Sequence, residues 1–125
     1  MKAEKLILVV DDFSDIRDAQ AHFLTKEGFR VVVARDGQEA LDKALGLQPD
    51  LILMDLSLPG INGWTATRQL KQDEKTKHIP VVILTAYSSG GTRAVIQEGC
   101  EGFLMKPTAP GDLLKEIHRV LGPGI

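Results

Sequence analysis

Leu51-Ile52-Leu53-Met54-Asp55-Leu56-Ser57-Leu58-Pro59-Gly60 passes from unbroken apolar character into an acid and then into a turn. An apolar run closed by a carboxylate suits a parallel strand that is covered on both faces and ends at a polar edge. Working outward from it, comparable runs stand at Leu6–Val10, Arg30–Ala34, Val81–Leu84 and Gly102–Met105. Leu6–Val10, Leu51–Met54 and Val81–Leu84 are continuously apolar and read as central strands. Gly102 lowers the strand propensity of the last run.

Amphipathic stretches separate the runs. Ser14 is expected to cap a first helix, with Ile16, Ala19, Phe23 and Leu24 near helical spacing and Gly28 just past its end. Asp36 is expected to cap a second, with Ala40, Leu41, Ala44 and Leu45 turned inward. Further helices are expected over Trp64–Leu70, Arg93–Glu98 and Asp112–Leu121, and Lys71–Lys77 reads as a solvated loop. Strand and helix alternate throughout. With right-handed crossovers, this makes an open parallel sheet with helices on both faces.

The totals narrow the function. At 125 residues the chain has the size of one ordinary domain. A net charge of −2 argues against a nucleic-acid module, which would carry a basic stripe. Cys100 is the single cysteine, so an intramolecular disulfide is excluded and a reducing setting is expected. Apolar runs are far shorter than the roughly 18 residues of a membrane span, and Asp11-Asp12 interrupt Leu6–Val10 too early for a signal peptide. A cytoplasmic location is expected.

In open α/β sheets, ligands bind beyond the carboxyl ends of the strands. Those ends carry Asp11-Asp12, Asp55, Thr85 and Lys106-Pro107. Three crowded carboxylates repel one another, and a hard divalent cation with oxygen ligands, Mg²⁺ or Mn²⁺, relieves that. Lys106 offsets more charge and can contact a phosphoryl oxygen, and Thr85 can donate to another. Asp55 then reads as a carboxylate nucleophile in a site prepared for phosphoryl transfer. Each residue alone could be a mere turn former or cap. All of them at strand ends is hard to reach by coincidence.

These residues resemble the receiver domain of two-component response regulators, the CheY-like superfamily. The likeness rests on Leu8-Val9-Val10-Asp11-Asp12, Leu53 to Gly63, Leu84-Thr85-Ala86 and Gly102-Phe103-Leu104-Met105-Lys106-Pro107, taken in this order. It implies one domain over 1–125, with a core from about 5 to 121, and a flavodoxin-like (βα)5 three-layer sandwich of strand order 2-1-3-4-5. It implies phosphotransfer from a histidine to Asp55, Mg²⁺ held by Asp12, Asp55 and the Ser57 carbonyl with Asp11 acting partly through water, and phosphoryl contacts from Thr85 and Lys106. It further implies a cis Lys106-Pro107 peptide and a switch formed by Thr85 and Phe103. The implied partners are a sensor histidine kinase or phosphotransfer protein and an unidentified downstream protein. Nucleic acid and membrane are not expected as direct partners, and a monomer or weak dimer is expected.

Two departures from the family pattern stand out. Ala86 to Thr92 is short and contains Gly90-Gly91, which disfavours helix, so the helix after Thr85 should start late. Ala109 precedes Pro110 where an acidic cap is usual, leaving Thr108 or water to cap the last helix. Ser57 and Tyr87 stand where side chains can flank the attacking water, and Tyr87 is expected to shield the acyl phosphate and slow its loss. Competing functions fit less well. A haloacid-dehalogenase-type phosphatase needs an acid at the Ser57 position. A flavin binder needs a hydroxyl- and glycine-rich phosphate loop where Asp11-Asp12-Phe13-Ser14-Asp15 stands. A pseudo-receiver that only docks partners would have no need of the five polar residues. The expected protein is a switch that catalyses only its own phosphorylation and dephosphorylation.

Overall fold

The computed structural model describes residues 4–56, 60, 62–85, 100–106 and 108–122. In chain order they form β1 (Leu6–Val10), α1 (Ser14–Lys26), β2 (Arg30–Ala34), α2 (Gly37–Leu47), β3 (Leu51–Asp55), α3 (Gly63–Gln72), β4 (Val81–Thr85), β5 (Gly102–Met105) and α4 (Pro110–Leu121). The helix expected over 93–98 falls outside the described residues.

All four pairings are parallel and the strand order is β2-β1-β3-β4-β5. Successive strand residues face opposite sides, so each central strand feeds two cores. Leu8, Val10, Ile52, Met54, Val81 and Ile83 pack with α2 and α3 through Ala40, Ala44, Ala66 and Leu70. Ile7, Val9, Leu51, Leu53, Val82 and Leu84 pack with α1 and α4 through Leu24, Leu113 and Ile117. Every residue of β1, β3 and β4 is buried, as their unbroken apolar character requires. The result is the expected three-layer sandwich. Among the described residues no helix is long and apolar enough to cross a membrane.

Local chemistry sets the helix ends. Asp36 accepts from the Glu39 amide at 2.8 Å and caps α2 as expected. Asn62 does the same for α3 through the Thr65 amide. Gly28, at φ +99°, follows the end of α1 in a conformation that side-chain-bearing residues resist.

Four expectations are corrected. Ser14 is the first helical residue of α1, not its cap; Phe13 occupies the cap position without a side-chain bond. The cause is Asp11, whose Oδ1 takes the Phe13 amide at 2.9 Å and turns the chain one residue early. Thr108 does not cap α4: its hydroxyl donates to the Met105 carbonyl at 2.9 Å, and Pro110 at the start of the helix removes one donor that would need a cap. Leu45 is 42% exposed, because the inward stripe of α2 is carried by Ala40 and Ala44. Lys71 belongs to α3 rather than a solvated loop. Its ammonium donates to the Ile79 carbonyl at 2.7 Å and pairs with Glu101 at 2.8 Å, and this ties α3 to the start of β5.

Both edge strands meet a charged side chain on their open side. Lys43 donates to the Val33 carbonyl of β2. Glu116 accepts the Phe103 amide of β5 at 3.1 Å. Edges treated in this way resist pairing with other chains.

The side-chain bonds from Arg119 hold the Glu116 carboxyl below its ordinary value of 4.5, and the Arg35 amide holds Glu39 below it. Depressed folded-state values mean stability present above about 4.5 and lost as pH falls through the folded values. The paired variant Glu39→Gln/Glu116→Gln should therefore lose less Tm than wild type when pH drops from about 5 to about 3. Equal losses in thermal melts would overturn this.

Candidate functional site

The carboxyl edge of the sheet gathers the acids. Asp11 follows β1 and is 1% exposed; Asp55 is the last residue of β3 and is 4% exposed. Asp12 is exposed, and oxygens of Asp11, Asp12 and Asp55 all lie within 4.8 Å of one another. Lys106 follows β5 and reaches across: its Nζ is 3.0 Å from Asp11 Oδ2 and 3.4 Å from Asp55 Oδ1. Its own amide donates to the Thr85 carbonyl at 2.8 Å. Thr85, fully buried, ends β4 beside β5, its register partner being Met105. Thus Asp11, Asp12, Asp55 and Lys106 form one cluster, with Thr85 on the adjoining strand end. Phe103 is half-buried against the core that holds α2 and α3. Ser57, Tyr87 and Pro107, and with them the carbonyl ligand, the shielding residue and the cis peptide, lie outside the described residues.

Asp11 is held from several directions. Its amide donates to the Ala34 carbonyl at 3.1 Å, and its carboxylate takes the Phe13 amide and the Lys106 ammonium. Arg17, whose side chain is only 13% exposed, donates to the Asp11 carbonyl at 3.2 Å. Reading by strand ends passed over Arg17, since its place one helical turn into α1 carries no motif. It also passed over the role of Gly63. A Cβ there would lie 1.9 Å from the Asp55 carbonyl oxygen, so α3 starts against the main chain of the central acid. The Asn62-Gly63 pair at a helix start was the available signal: a cap followed by a residue with no side chain.

An all-oxygen donor set in which two carboxylates are buried and one is exposed fits a hard divalent cation. Lys106 supplies part of the same neutralisation.

Solved structures similar to this one include CheY and CheY-like receiver domains. The chemotaxis protein CheY4 of Vibrio cholerae matches with a TM-score of 0.88 and 34% identity, over 94% of this chain and 99% of that one. The receiver domain of a sensor histidine kinase from Pseudomonas aeruginosa matches with a TM-score of 0.88 and 32% identity, over 96% and 99%, and that structure has a magnesium ion coordinated in its active-site cleft. The polar-differentiation response regulator DivK of Brucella ovis is 35% identical over 119 residues, 94% of this chain and 97% of that protein. The response regulator receiver domain profile matches residues 7–118, and the chain belongs to that family.

Gly63→Ala should be costly, because backbone stands where the methyl would go. Overpacking of this kind costs about 1–3 kcal/mol. Urea unfolding should show a lowered midpoint, and an unchanged midpoint would show that α3 can shift away from Asp55 freely.

Proposed function

We propose that this domain is a phosphorylation-dependent switch in which Asp55 takes a phosphoryl group from a histidine of a sensor kinase or phosphotransfer protein, in the cytoplasm. The observation that carries the reading is the Lys106 ammonium, shared between Asp11 and Asp55 beside the exposed Asp12. A purely structural ion pair needs one acid; among the described residues three acids gather around one ammonium, which leaves negative charge for a further cation to balance.

Asp12 and Asp55, with the Ser57 carbonyl and Asp11 through water, would hold Mg²⁺ or Mn²⁺. When bound, the ion offsets charge on the transferring phosphoryl oxygens. The family relative with coordinated magnesium supports that assignment. The Asp55 carboxylate attacks phosphorus and forms the new O–P bond. The P–N bond to the donor histidine breaks, and its nitrogen leaves with the bonding pair and takes a proton from solvent. Lys106 turns from Asp11 toward a phosphoryl oxygen, and the Thr85 hydroxyl donates to another. Such a transfer needs positioning and neutralisation more than acid–base chemistry.

Phosphorylation then biases two states of the surface. Thr85 moves toward the phosphoryl group and Phe103 changes rotamer. A downstream protein responds only to the extent that it binds one state better. The domain acts as a monomer or weak dimer and catalyses only its own phosphorylation and dephosphorylation.

Incubation with acetyl phosphate and Mg²⁺, followed by intact mass, tests the reading. Wild type should gain one phosphoryl group and Asp55→Asn none. Folded wild-type protein that gains nothing under any donor would leave only a partner-docking domain.

Lys106→Met separates the roles of the lysine. Removing a positive charge next to the carboxylates should tighten Mg²⁺ binding roughly three- to tenfold. Losing the phosphoryl contact should slow adduct formation roughly 10²-fold. Trp64 sits half-buried beside Gly63 and can report Mg²⁺ binding by fluorescence. Weaker Mg²⁺ binding in this variant would contradict the charge argument.

A further inference from the structure

Among the described residues, the strand that delivers Lys106 is the shortest and lies at an edge of the sheet. β5 is four residues long, pairs with β4 alone, and has two half-buried residues and one exposed one. Its open side is met by α4. The Glu116 carboxylate takes the Phe103 amide at 3.1 Å and is held by Arg119 through two bonds of 2.8 Å, one to each oxygen. The same guanidinium donates to the Glu101 carbonyl at 2.9 Å. Between those two residues stands Gly102, where a Cβ would come within 2.7 Å of the Glu116 carboxylate. Three consecutive residues, Glu101 and the first two of β5, are therefore fitted to one ion pair. Though Arg119 is 59% exposed, the Glu116 side chain is only 16% exposed, so the carboxylate is lodged against the strand.

We propose that Glu116, braced by Arg119, is a positioning residue that fixes the main chain of β5 and thereby sets where the Lys106 ammonium meets Asp11 and Asp55. The proposal rests on the reading of Asp55 as phosphoryl acceptor. Phe103 and Lys106 are separated by about 10 Å of extended chain at roughly 3.3 Å per residue. That segment is stiff and is pinned at its far end by the Lys106 amide on the Thr85 carbonyl. Pinned at both ends, it cannot slide or fray without breaking a bond. It also leaves the Phe103 side chain free to change rotamer while its main chain stays in place. Asp11 follows β1 and Asp55 ends β3, and the clamp touches neither strand. Loss of the clamp should therefore disturb the lysine and spare the carboxylates.

The test uses the full chain as wild type, Glu116→Ala, Glu116→Gln and Arg119→Ala, under conditions where each is folded by circular dichroism. Three quantities are read: the rate constant of phosphorylation by acetyl phosphate at saturating Mg²⁺, the Mg²⁺ affinity from Trp64 fluorescence, and the exchange rate of the Phe103 amide proton by NMR. Misplacement of a reacting contact by a fraction of an ångström should slow phosphorylation about tenfold in Glu116→Ala. Glu116→Gln, which keeps an oxygen for the Phe103 amide, should recover part of the loss, and Arg119→Ala should fall between. Mg²⁺ affinity should hold or tighten, by less than for Lys106→Met, because a displaced ammonium neutralises the carboxylates less. The Phe103 amide should exchange faster in Glu116→Ala.

A folded Glu116→Ala protein with the wild-type rate overturns the proposal. So does a parallel fall in rate and Mg²⁺ affinity, which marks a general loosening of the fold. A wild type that takes no phosphoryl group overturns the acceptor role of Asp55 and this positioning role with it. Phosphorylated wild type with an indifferent Glu116→Ala removes the positioning role alone.

Discussion

Mutual repulsion among Asp11, Asp12 and Asp55 is the constraint on which the rest of the structure turns. Unit charges about 4–5 Å apart repel by roughly 3–4 kcal/mol at an effective dielectric of 20. Two of the three are almost fully buried, so solvent does little to relieve them. Positive charge has to be delivered to that edge, and the described sheet delivers it at the end of β5. Everything that fixes β5 is therefore also part of the electrostatics of the site: its register on β4, the bond from Lys71 to Glu101, and the clamp from α4. A scaffold that keeps an excess of negative charge at one edge loses stability by it and gains a site whose energy depends strongly on what enters it.

Much of this was legible in the sequence, and for a definite reason. Burial on both faces erases the alternation of a half-buried strand and leaves a continuous apolar run. Leu6–Val10, Leu51–Met54 and Val81–Leu84 each became a fully buried strand. Residues just past such runs must lie at one edge of a parallel sheet, and for that reason Asp11, Asp55, Thr85 and Lys106 could be grouped without coordinates. Asp36 announced its helix because capping is a contact over three residues.

What escaped the sequence involves partners far apart or a turn made just before a helix. Asp11 takes the Phe13 amide and closes the turn ahead of α1, so Phe13 stands at the cap position and Ser14 inside the helix. Lys71 lies 30 residues from Glu101, and periodicity says nothing about whom a lysine meets. Gly63 is needed because another backbone passes close by, and the sequence records only that the side chain is missing. Leu45 went wrong for a different reason. Small alanines let α2 sit so near the sheet that the inward stripe is narrow, and a leucine one position off it stays in water.

Burial falls from the central strands to both edges, β2 and β5, and of the two edges β5 is the one that adjoins the site. In β3 every side chain is enclosed, and any rotamer change there would open a cavity costing about 2–5 kcal/mol for a large residue. Phe103 is half-buried on a strand with one neighbour, so its side chain can turn with a smaller loss of contact. A strand that loose would also let Lys106 wander. The Glu116–Arg119 pair separates the two demands, since it binds main chain and leaves the Phe103 side chain alone. Under the proposed switch, phosphorylation at the rigid strand β3 draws on Lys106 and Thr85 at the neighbouring strand ends. The response surfaces on the face of β5 that Phe103 and Met105 share, where Met105 is already 46% exposed.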